Sequence, residues 1–389
     1  MHIVDVDVEI VTVGRNFGTT SAVKETEESV FGYLRLTADD GTTGVGEISD
    51  IEDPESMPAA AVVEEEVGSF LEGADPRAVN KLTRRMDGEV RLGEFDFHSF
   101  QQLTLAAIDH ALYDLVGNYY DVPSYQLLGG RTRDVTLSWV VYTRQEPDAI
   151  DALREEVQTR FDQGFDAFKL KVGEVDPHVD HERIEAVREI VGDEAQVFVD
   201  AQGVWELEEA IENVRLFEEA GIDGIETPVG HPDRSVDAPG SYYDIPLLPS
   251  ELATVREETN TPVFEHVLDP EFGLALAAED AVDVFTVEAC AGGLNRAQRI
   301  LAIADGAGID ARLGSTGELG VGTLAAAALG ASSPAITYPC DLAGPMIYDD
   351  DVLEAGIEYR DGLLRPPDTP GLGFDLRTAL FESPRSERR

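Results

Sequence analysis

Eight short apolar runs recur between Thr136 and Cys340, and segments with helical periodicity separate them. The runs are TLSWVVY, AFKLKVG, QVFVDAQG, DGIETPV, TPVFEHV, VDVFTVEA, IDARLGS and AITYPC. Segments such as DAIDALREEVQTRFDQG and LEEAIENVRLFEEAG place apolar residues on one helical face. A strand followed by a helix, repeated about eight times, predicts a parallel sheet closed into a barrel. An open doubly wound sheet is the alternative, but no G-x-G-x-x-G follows the first strand to support it.

The chain on either side of these repeats has a different pattern. Before them, MHIVDVDVEIVTV and VFGYLRLTADDGTTGVGEI indicate a β-meander, and SFQQLTLAAIDHALYDLVGNYY indicates a helix. After them, short strands alternate with Pro and Gly turns. We therefore predict an α/β fold with a (β/α)7β TIM-like barrel over residues 128–345. An α+β capping domain is expected from residues 1–127, completed by the C-terminal segment 346–389.

The charge of the chain excludes some classes of partner. There are 77 acidic residues against 29 basic ones, a formal net charge of −48, and the acids are spread over the whole length. Such a surface is not expected to bind nucleic acid, and no window reaches the ~18 apolar residues of a membrane span. Two cysteines, Cys290 and Cys340, cannot form a disulfide framework and suggest a reducing compartment. We expect a cytoplasmic protein.

The same charge suggests a halophilic origin. Acidic side chains on one surface repel each other in dilute buffer, whereas at molar salt the screening length falls to about 3 Å and the repulsion largely disappears. The chain also has only four lysines, Lys24, Lys81, Lys169 and Lys171. Both features are typical of a protein from a salt-rich cytoplasm.

This hypothesis predicts a salt-dependent stability. Thermal unfolding followed by circular dichroism should show a higher midpoint in concentrated KCl than in dilute buffer, because the salt screens repulsion that is stronger in the folded state than in the expanded one. Equal midpoints in the two solutions would rule the hypothesis out.

Acidic residues follow three consecutive strands of the predicted barrel. Asp200 ends VFVD, Glu226 ends GIE and Glu265 ends PVFE. Catalytic groups of such barrels cluster at the C-terminal ends of strands, so these three carboxylates are expected to converge. They cannot all stay ionised together without a cation, and hard oxygen ligands with room for water favour Mg²⁺.

The strand before these three carries two of the four lysines. In FKLKVG, Lys169 and Lys171 alternate with apolar residues and share one face about 7 Å apart. Asp200 and Gln202 share a face in the same way. An ammonium beside a second ammonium and a divalent cation loses its proton more readily, and a lysine then becomes usable as a general base near neutral pH.

With these residues the sequence resembles the enolase superfamily, in particular its mandelate racemase and muconate lactonizing enzyme group. FKLKVG is similar to the K-x-K strand of that group, LTADDGTTGVGE to its capping hairpin, AAIDHALYDLVGNYYDVPSYQLLGG to the helix that enters the barrel, and PGLGFDL to its returning tail. The resemblance implies that Mg²⁺ is bound by the three acids named above. It further implies that Lys171 is the base, that Lys169 assists it and that Glu318 is an acid on the seventh strand.

The resemblance also implies contacts around the substrate. The small domain is expected to act as a lid, with substrate contacts from the loops at residues 15–20 and 48–52. Arg15, Gln202 and Glu288 are the substrate-binding candidates. The substrate is expected to be a small carboxylate, and a homo-oligomer is expected in solution.

The sequence departs from the pattern of the group on the opposite side of the barrel. A second lysine is frequent on the sixth strand, but counting back from Gly292 and Gly293 that position is Val287, with Glu288 next to it. A seventh-strand histidine is also missing, since His266 is the last histidine of the chain. By alternation with Glu265, we expect His266 to point away from the site.

Two further departures lie near the predicted metal ligands. Gln202 stands where an asparagine is usual, and residues 230–245, which include His231, resemble an insertion between the fourth and fifth strands. His231 could reach a substrate, although a solvated loop residue is the simpler interpretation.

The expected chemistry is abstraction of the proton α to a carboxylate, with an enediolate intermediate. One base suffices for a muconate-lactonizing-like cycloisomerase or for a one-base lyase. Sugar-acid dehydration is an alternative, and so is racemisation or epimerisation with Glu288 as the second base. An alternative of another class is a catalytically inactive binding protein. It is less well supported, because a barrel with no reaction to catalyse has no physical reason to keep both lysines and all three acids.

Overall fold

A computed structural model of the chain describes residues 1–21, 24–51, 57–89, 100–143, 149–230, 248–378 and 380–381. The first unit is a three-stranded antiparallel meander, with four helices after it. Its elements are β1 (Ile3–Ser21), β2 (Lys24–Ala38), β3 (Thr43–Ile51), α1 (Ala60–Leu71), α2 (Val79–Glu89), α3 (Phe100–Tyr120) and α4 (Ser124–Leu127). Alternate residues of the meander, including Val8, Leu34 and Leu36, are buried in one core with Ile108 and Leu112 of α3, as expected for a sheet with one covered face.

The second unit is a seven-stranded parallel sheet with helices between its strands. Its elements in chain order, after the short β4 (Val135–Thr136), are β5 (Trp139–Val141), α5 (Ala149–Asp162), β6 (Ala167–Lys171), α6 (Pro177–Val191), β7 (Gln196–Asp200), α7 (Leu207–Glu219), β8 (Gly224–Glu226), α8 (Pro249–Glu258), β9 (Val263–His266), α9 (Pro270–Ala278), β10 (Val284–Val287), α10 (Leu294–Ala307), β11 (Asp310–Leu313) and α11 (Gly320–Ser332). The strands pair in sequential order from β5 to β11.

The eighth apolar run of the sequence closes this sheet. Ile336 forms a parallel bridge with Ala311 of β11, and Cys340 forms one with Leu137, just before β5. Inside the barrel the rings of Phe198, Phe264 and Tyr338 contact each other, with centroids 5.2 to 6.1 Å apart. The predicted TIM-like barrel with a capping unit is confirmed, and the interior below the strand ends is packed rather than open.

The C-terminal segment returns to the capping unit. After a 3₁₀ turn (Gly344–Ile347), β12 (Tyr359–Arg360) pairs with β13 (Leu363–Leu364), and β13 pairs with β4. The buried Asp114 of α3 then accepts hydrogen bonds from the N–H of Val45, at 2.9 Å, and of Leu372, at 2.8 Å. Burial raises the pKa of Asp114 to about 6. The domain boundaries predicted above stay a prediction.

No helix among the described residues is both long enough and apolar enough to cross a membrane.

β3 packs directly against the backbone of α3, and two glycines permit the approach. A Cβ at Gly46 would lie 1.8 Å from the carbonyl oxygen of Ala107, and one at Gly44 would lie 2.3 Å from that of Ala111. Real Cβ atoms do not come so close to backbone oxygen, so any side chain here would push the strand away from the helix.

Gly46→Ala is therefore expected to destabilise the protein by about 3 kcal/mol, at the upper end of the range for overpacking. Gly306→Ala is the matched control, because Gly306 lies in α10 with open space around it, and there alanine should stabilise by up to about 1 kcal/mol. Urea unfolding of both variants measures the difference. A Gly46→Ala variant as stable as the parent would show that β3 does not need this close contact.

Candidate active site

The ends of three neighbouring strands bring Lys171, Asp200 and Glu226 side by side. In the register of the parallel sheet, Lys171 of β6 is paired with Asp200 of β7, which is paired with Glu226 of β8. The ammonium nitrogen of Lys171 lies 2.6 Å from Oδ2 of Asp200. These three side chains meet at the C-terminal mouth of the barrel, as the sequence predicts, because parallel strands all end at the same edge.

Lys169 lies one step deeper on the same strand and contacts three carboxylates. Its Nζ is 2.5 Å from Asp341 Oδ2, 2.8 Å from Glu226 Oε1 and 3.6 Å from Asp200 Oδ2. Burial lowers the pKa of this ammonium, but Asp341, Glu226 and Asp200 together outweigh burial and raise it above the ordinary value. Lys169 is thus a fixed cation, and only 4% of its side chain is exposed, against 14% for Lys171.

Glu226 is the most densely contacted acid of the cluster. Besides Lys169, it accepts a hydrogen bond from Thr286 Oγ1 at 2.7 Å and lies 3.0 Å from the Nε2 atom of His266. Burial raises its pKa, but Lys169 and His266 outweigh burial and hold the pKa well below the usual range. The carboxylate therefore stays ionised although it is completely buried.

The interpretation that His266 points away from the site is wrong. Its ring lies between two carboxylates, with Nε2 3.0 Å from Glu226 and Nδ1 3.0 Å from Glu288. The reason is that Phe264 contacts Phe198 inside the barrel and His266, two residues later on β9, faces the same way. Burial lowers the pKa of His266, but Glu226 and Glu288 outweigh it and raise the pKa to about 10.

Glu265 has other partners in this structure. Its Oε1 accepts hydrogen bonds from Thr227 Oγ1 at 3.1 Å and from the N–H of His266 at 3.0 Å. Among the described residues, the buried group whose ligand atoms all lie within 4.8 Å of one another consists of Asp200, Glu226 and His266. This group could hold a metal ion, and the role of Glu265 as a ligand stays a prediction.

The sequence interpretation missed two charged residues of the interior. Arg312 of β11 is completely buried and forms an ion pair with Asp341. Its guanidinium also donates to Ser138 Oγ at 2.8 Å and lies 5.4 Å from the ring centroid of Phe198. Alternation in IDARLGS would have placed Arg312 inward, but arginine side chains are more often exposed. Asp341 follows a run with no regular pattern, so no sequence signal marked it.

The sixth strand contributes Glu288. Thr286 faces the interior and contacts Glu226, so the residue two positions later on the same strand faces inward as well. Val287 packs on the outside of the barrel with the helices. The buried Glu288 thus lies at the mouth, across the barrel from Lys171, and contacts His266.

Glu318 lies in the loop after β11. Its Oε2 accepts hydrogen bonds from Ser315 Oγ at 2.7 Å and from the N–H of Thr316 at 3.0 Å. Its Oε1 is buried and has no hydrogen-bond partner among the described residues. Burial raises the pKa of Glu318 to about 7, and the charge of Glu288 adds to the effect.

The substrate-binding candidates have different surroundings. Arg15 is paired with Asp50 at 2.9 Å and donates to Ser29 Oγ at 2.9 Å, all within the capping unit. Gln202 has a left-handed backbone, with φ of 51°, and its N–H donates to Asp200 Oδ1 at 2.9 Å. The side chains of residues 17–20, Glu52, and the insertion from His231 onward lie outside the described residues.

Comparison with known families agrees with this geometry. Residues 152–380 match the family described as "Enolase C-terminal domain-like", and residues 5–129 match the "Mandelate racemase / muconate lactonizing enzyme, N-terminal domain". The chain belongs to the mandelate racemase and muconate lactonizing enzyme group of the enolase superfamily. It is an enzyme of that group, and the resemblance seen in the sequence is confirmed.

Individual relatives have different reactions in their names. The chain is 29% identical to the L-Ala-D/L-Glu epimerase of Bacillus subtilis over 97% of both chains. It is 30% identical to muconate cycloisomerase 1 of Rhodococcus opacus over 70% of this chain and 69% of the relative. The crystal structure of 2-chloromuconate cycloisomerase from Rhodococcus opacus 1CP superimposes with a TM-score of 0.84 at 25% identity and covers 100% of both chains.

The pKa of Glu318 predicts a pH-dependent contribution to stability. The pKa is about 7 in the folded state and 4.5 as its ordinary value, so between these two values the unfolded chain is ionised while the folded one is protonated. The free energy of unfolding should then fall by about 1.4 kcal/mol per pH unit between pH 4.5 and 7. Glu318→Gln should remove this slope.

Urea unfolding of the parent and the variant at pH 5, 6 and 7 measures the slope as a difference. Glu66→Gln, which removes one exposed acid, controls for the loss of a negative charge. Parallel pH dependences of the parent and Glu318→Gln would contradict the raised pKa.

Proposed function

We propose that the protein removes the proton α to the carboxylate of a small organic acid, with Lys171 as the base. The supporting observation is the unequal environment of the two lysines on β6. Lys169 is held by three carboxylates and stays charged, whereas Lys171 has one carboxylate partner and the more exposed ammonium. Lys171 Nζ therefore would accept the proton, and Lys169 would supply fixed positive charge beneath it.

Mg²⁺ fits the acids at the strand ends. Asp200 and Glu226 offer buried carboxylate oxygens within reach of one ion, and Glu265 would be the third ligand from the adjacent strand. Carboxylates are the ligands that Mg²⁺ prefers. The ion would supply positive charge to the substrate carboxylate as its α-proton leaves. His266 and Lys169 would then hold Oε1 of Glu226 in place through hydrogen bonds.

The outcome of proton removal is proposed as cycloisomerisation of the muconate-lactonizing type, or loss of a leaving group on the same face. One base is enough for either reaction. The names of the cycloisomerase relatives support the first outcome. Dehydration of a sugar acid is compatible with the same residues. An inactive binding barrel remains the alternative of another class, and the arrangement of the two lysines disfavours it.

Epimerisation is a second candidate, and the position of Glu288 favours it. This acid lies at the end of the sixth strand, across the barrel from Lys171, and is linked through His266 to Glu226. A proton donor on the face opposite the base is what inversion at the α-carbon requires. Glu288 could supply that donor, and the epimerase of Bacillus subtilis is among the relatives.

Exchange of the α-proton with D₂O tests the proposal. Muconolactone, an Ala-Glu dipeptide and a set of sugar acids are incubated with the enzyme and Mg²⁺, and deuterium at the α-carbon is measured by mass spectrometry. Lys171→Ala should abolish exchange, because the other lysine of β6, Lys169, is held in its charged form by three carboxylates and does not accept a proton. Lys81→Met is the matched control, since Lys81 is an exposed lysine on α2 and its loss should leave exchange unchanged.

The stereochemistry of the product separates the two candidates. Deuterium in one configuration only is expected for the one-base reaction. Deuterium in both stereoisomers, lost from one of them in Glu288→Gln, would establish the epimerase instead. Normal exchange in Lys171→Ala would remove Lys171 as the base, and no exchange on any substrate in the parent enzyme would favour the binding protein.

A further inference from the structure

Two carboxylates from outside the barrel cap the first turn of α11. The residue before this helix is Leu319, whose side chain cannot accept a hydrogen bond, so the first N–H groups need other acceptors. Glu47 of β3 accepts from the N–H of Leu319 at 2.8 Å and of Gly322 at 3.1 Å. Asp351 of the C-terminal segment accepts from the N–H of Gly320 at 3.0 Å. The capping unit thus holds the start of a barrel helix.

Three hydrogen bonds hold the carboxyl group of Glu47 in place. Its carboxyl group is completely buried, and Oε1 accepts a further hydrogen bond from Ser49 Oγ at 2.9 Å. Burial raises the pKa of Glu47 to about 8. In either protonation state it offers an oxygen to each of the two N–H groups, whereas a glutamine amide has only one oxygen.

The backbone that Glu47 binds continues directly from Glu318. The two acids also meet at Gly322, where an added Cβ would lie 2.7 Å from Glu318 Cβ, 3.0 Å from Glu47 Oε1 and 3.1 Å from Cys290 Sγ. Glu318 itself is held through Oε2 by residues of its own loop, and its Oε1 is left for another partner. Because Leu319 directly follows Glu318, the backbone position from which that side chain extends depends on where the N–H of Leu319 is held.

We propose that Glu47 is a positioning residue, through which the capping unit fixes Glu318 at the mouth of the barrel. This inference rests on the proposed function together with the role that the family resemblance implies for Glu318, an acid of the seventh strand. Loss of an N–H acceptor would let the start of α11 move, and a displacement of about 1 Å at a reacting group can lower the rate by about 100-fold. The capping unit then contributes to catalysis through the barrel backbone.

The test uses Glu47→Gln and a matched control, Asp114→Asn. Asp114 is also a buried carboxyl of the capping unit that accepts two backbone N–H bonds, but it contacts neither Glu318 nor the start of α11. Amide hydrogen exchange is measured by mass spectrometry on the peptide that covers Leu319 and Gly322. Exchange there should be at least about tenfold faster in Glu47→Gln, which leaves one N–H without an acceptor, and unchanged in Asp114→Asn.

Kinetics then show whether the loosened backbone acts through Glu318. On whichever substrate the enzyme turns over, kcat should fall about tenfold or more in Glu47→Gln with little change in KM. In a Glu318→Gln background the same Glu47 substitution should cause no further fall, because residues that act through one another are not additive.

Three results would overturn the proposal. These are unchanged exchange at Leu319 and Gly322, equal effects of Glu47→Gln and Asp114→Asn on kcat, and additive effects of the Glu47 and Glu318 substitutions. If the parent enzyme exchanges no α-proton at all, the proposed function fails, and with it the effect of Glu47 on the reaction. Amide exchange would still decide separately whether Glu47 holds the start of α11.

Discussion

Pairing of buried charges at the barrel mouth is the interaction on which the rest of the structure depends. An isolated ion in a protein interior costs several kcal/mol, yet this interior contains the completely buried Glu226 and Arg312 together with Lys169. Glu226 and Asp341 each lie within ion-pair distance of both cations, and these contacts offset the cost of burying the charges. The strand register therefore has to be exact to one residue, since a slip would turn every one of these groups to the opposite face.

That constraint explains which parts of the site the sequence could predict. Lys171, Asp200 and Glu226 end regular apolar strands, Lys169 lies two residues before one of these ends, and their meeting follows from the common direction of parallel strands. His266 was assigned to the wrong face, because its direction depends on whether Phe264 or its neighbours fill the barrel interior, a packing outcome that spans several strands. Asp341 and Arg312 were missed for a related reason. Both residues are stabilised by contacts with other buried charges, with each other and with Lys169 and Glu226, and the sequence does not reveal such contacts between separate segments.

The fold itself was more predictable than the site, because it depends on periodicity that is repeated many times along the chain. Eight strand and helix alternations specify a barrel even if one boundary is misplaced. The contact between the capping unit and α11 depends instead on single side chains, Glu47 and Asp351, which in the sequence look like any other of the 77 acids. In a sequence with so many acids, the few carboxylates with a structural role cannot be recognised, and only their burial in the folded protein distinguishes them from the surface acids.

The surface and the site also respond differently to salt. Surface acids repel each other over a distance set by the Debye length, so concentrated salt removes most of that repulsion. The ion pairs of Lys169 and Arg312 are shielded from solvent and at contact distance, where mobile ions cannot enter and screening is weak. Salt can therefore change the stability of the chain as a whole while the charges that orient Lys171 and Glu226 stay the same. A protein with this distribution of charge can keep one active-site geometry over a wide range of ionic strength, because Lys169 and Arg312 are buried where water and ions do not compete for their partners.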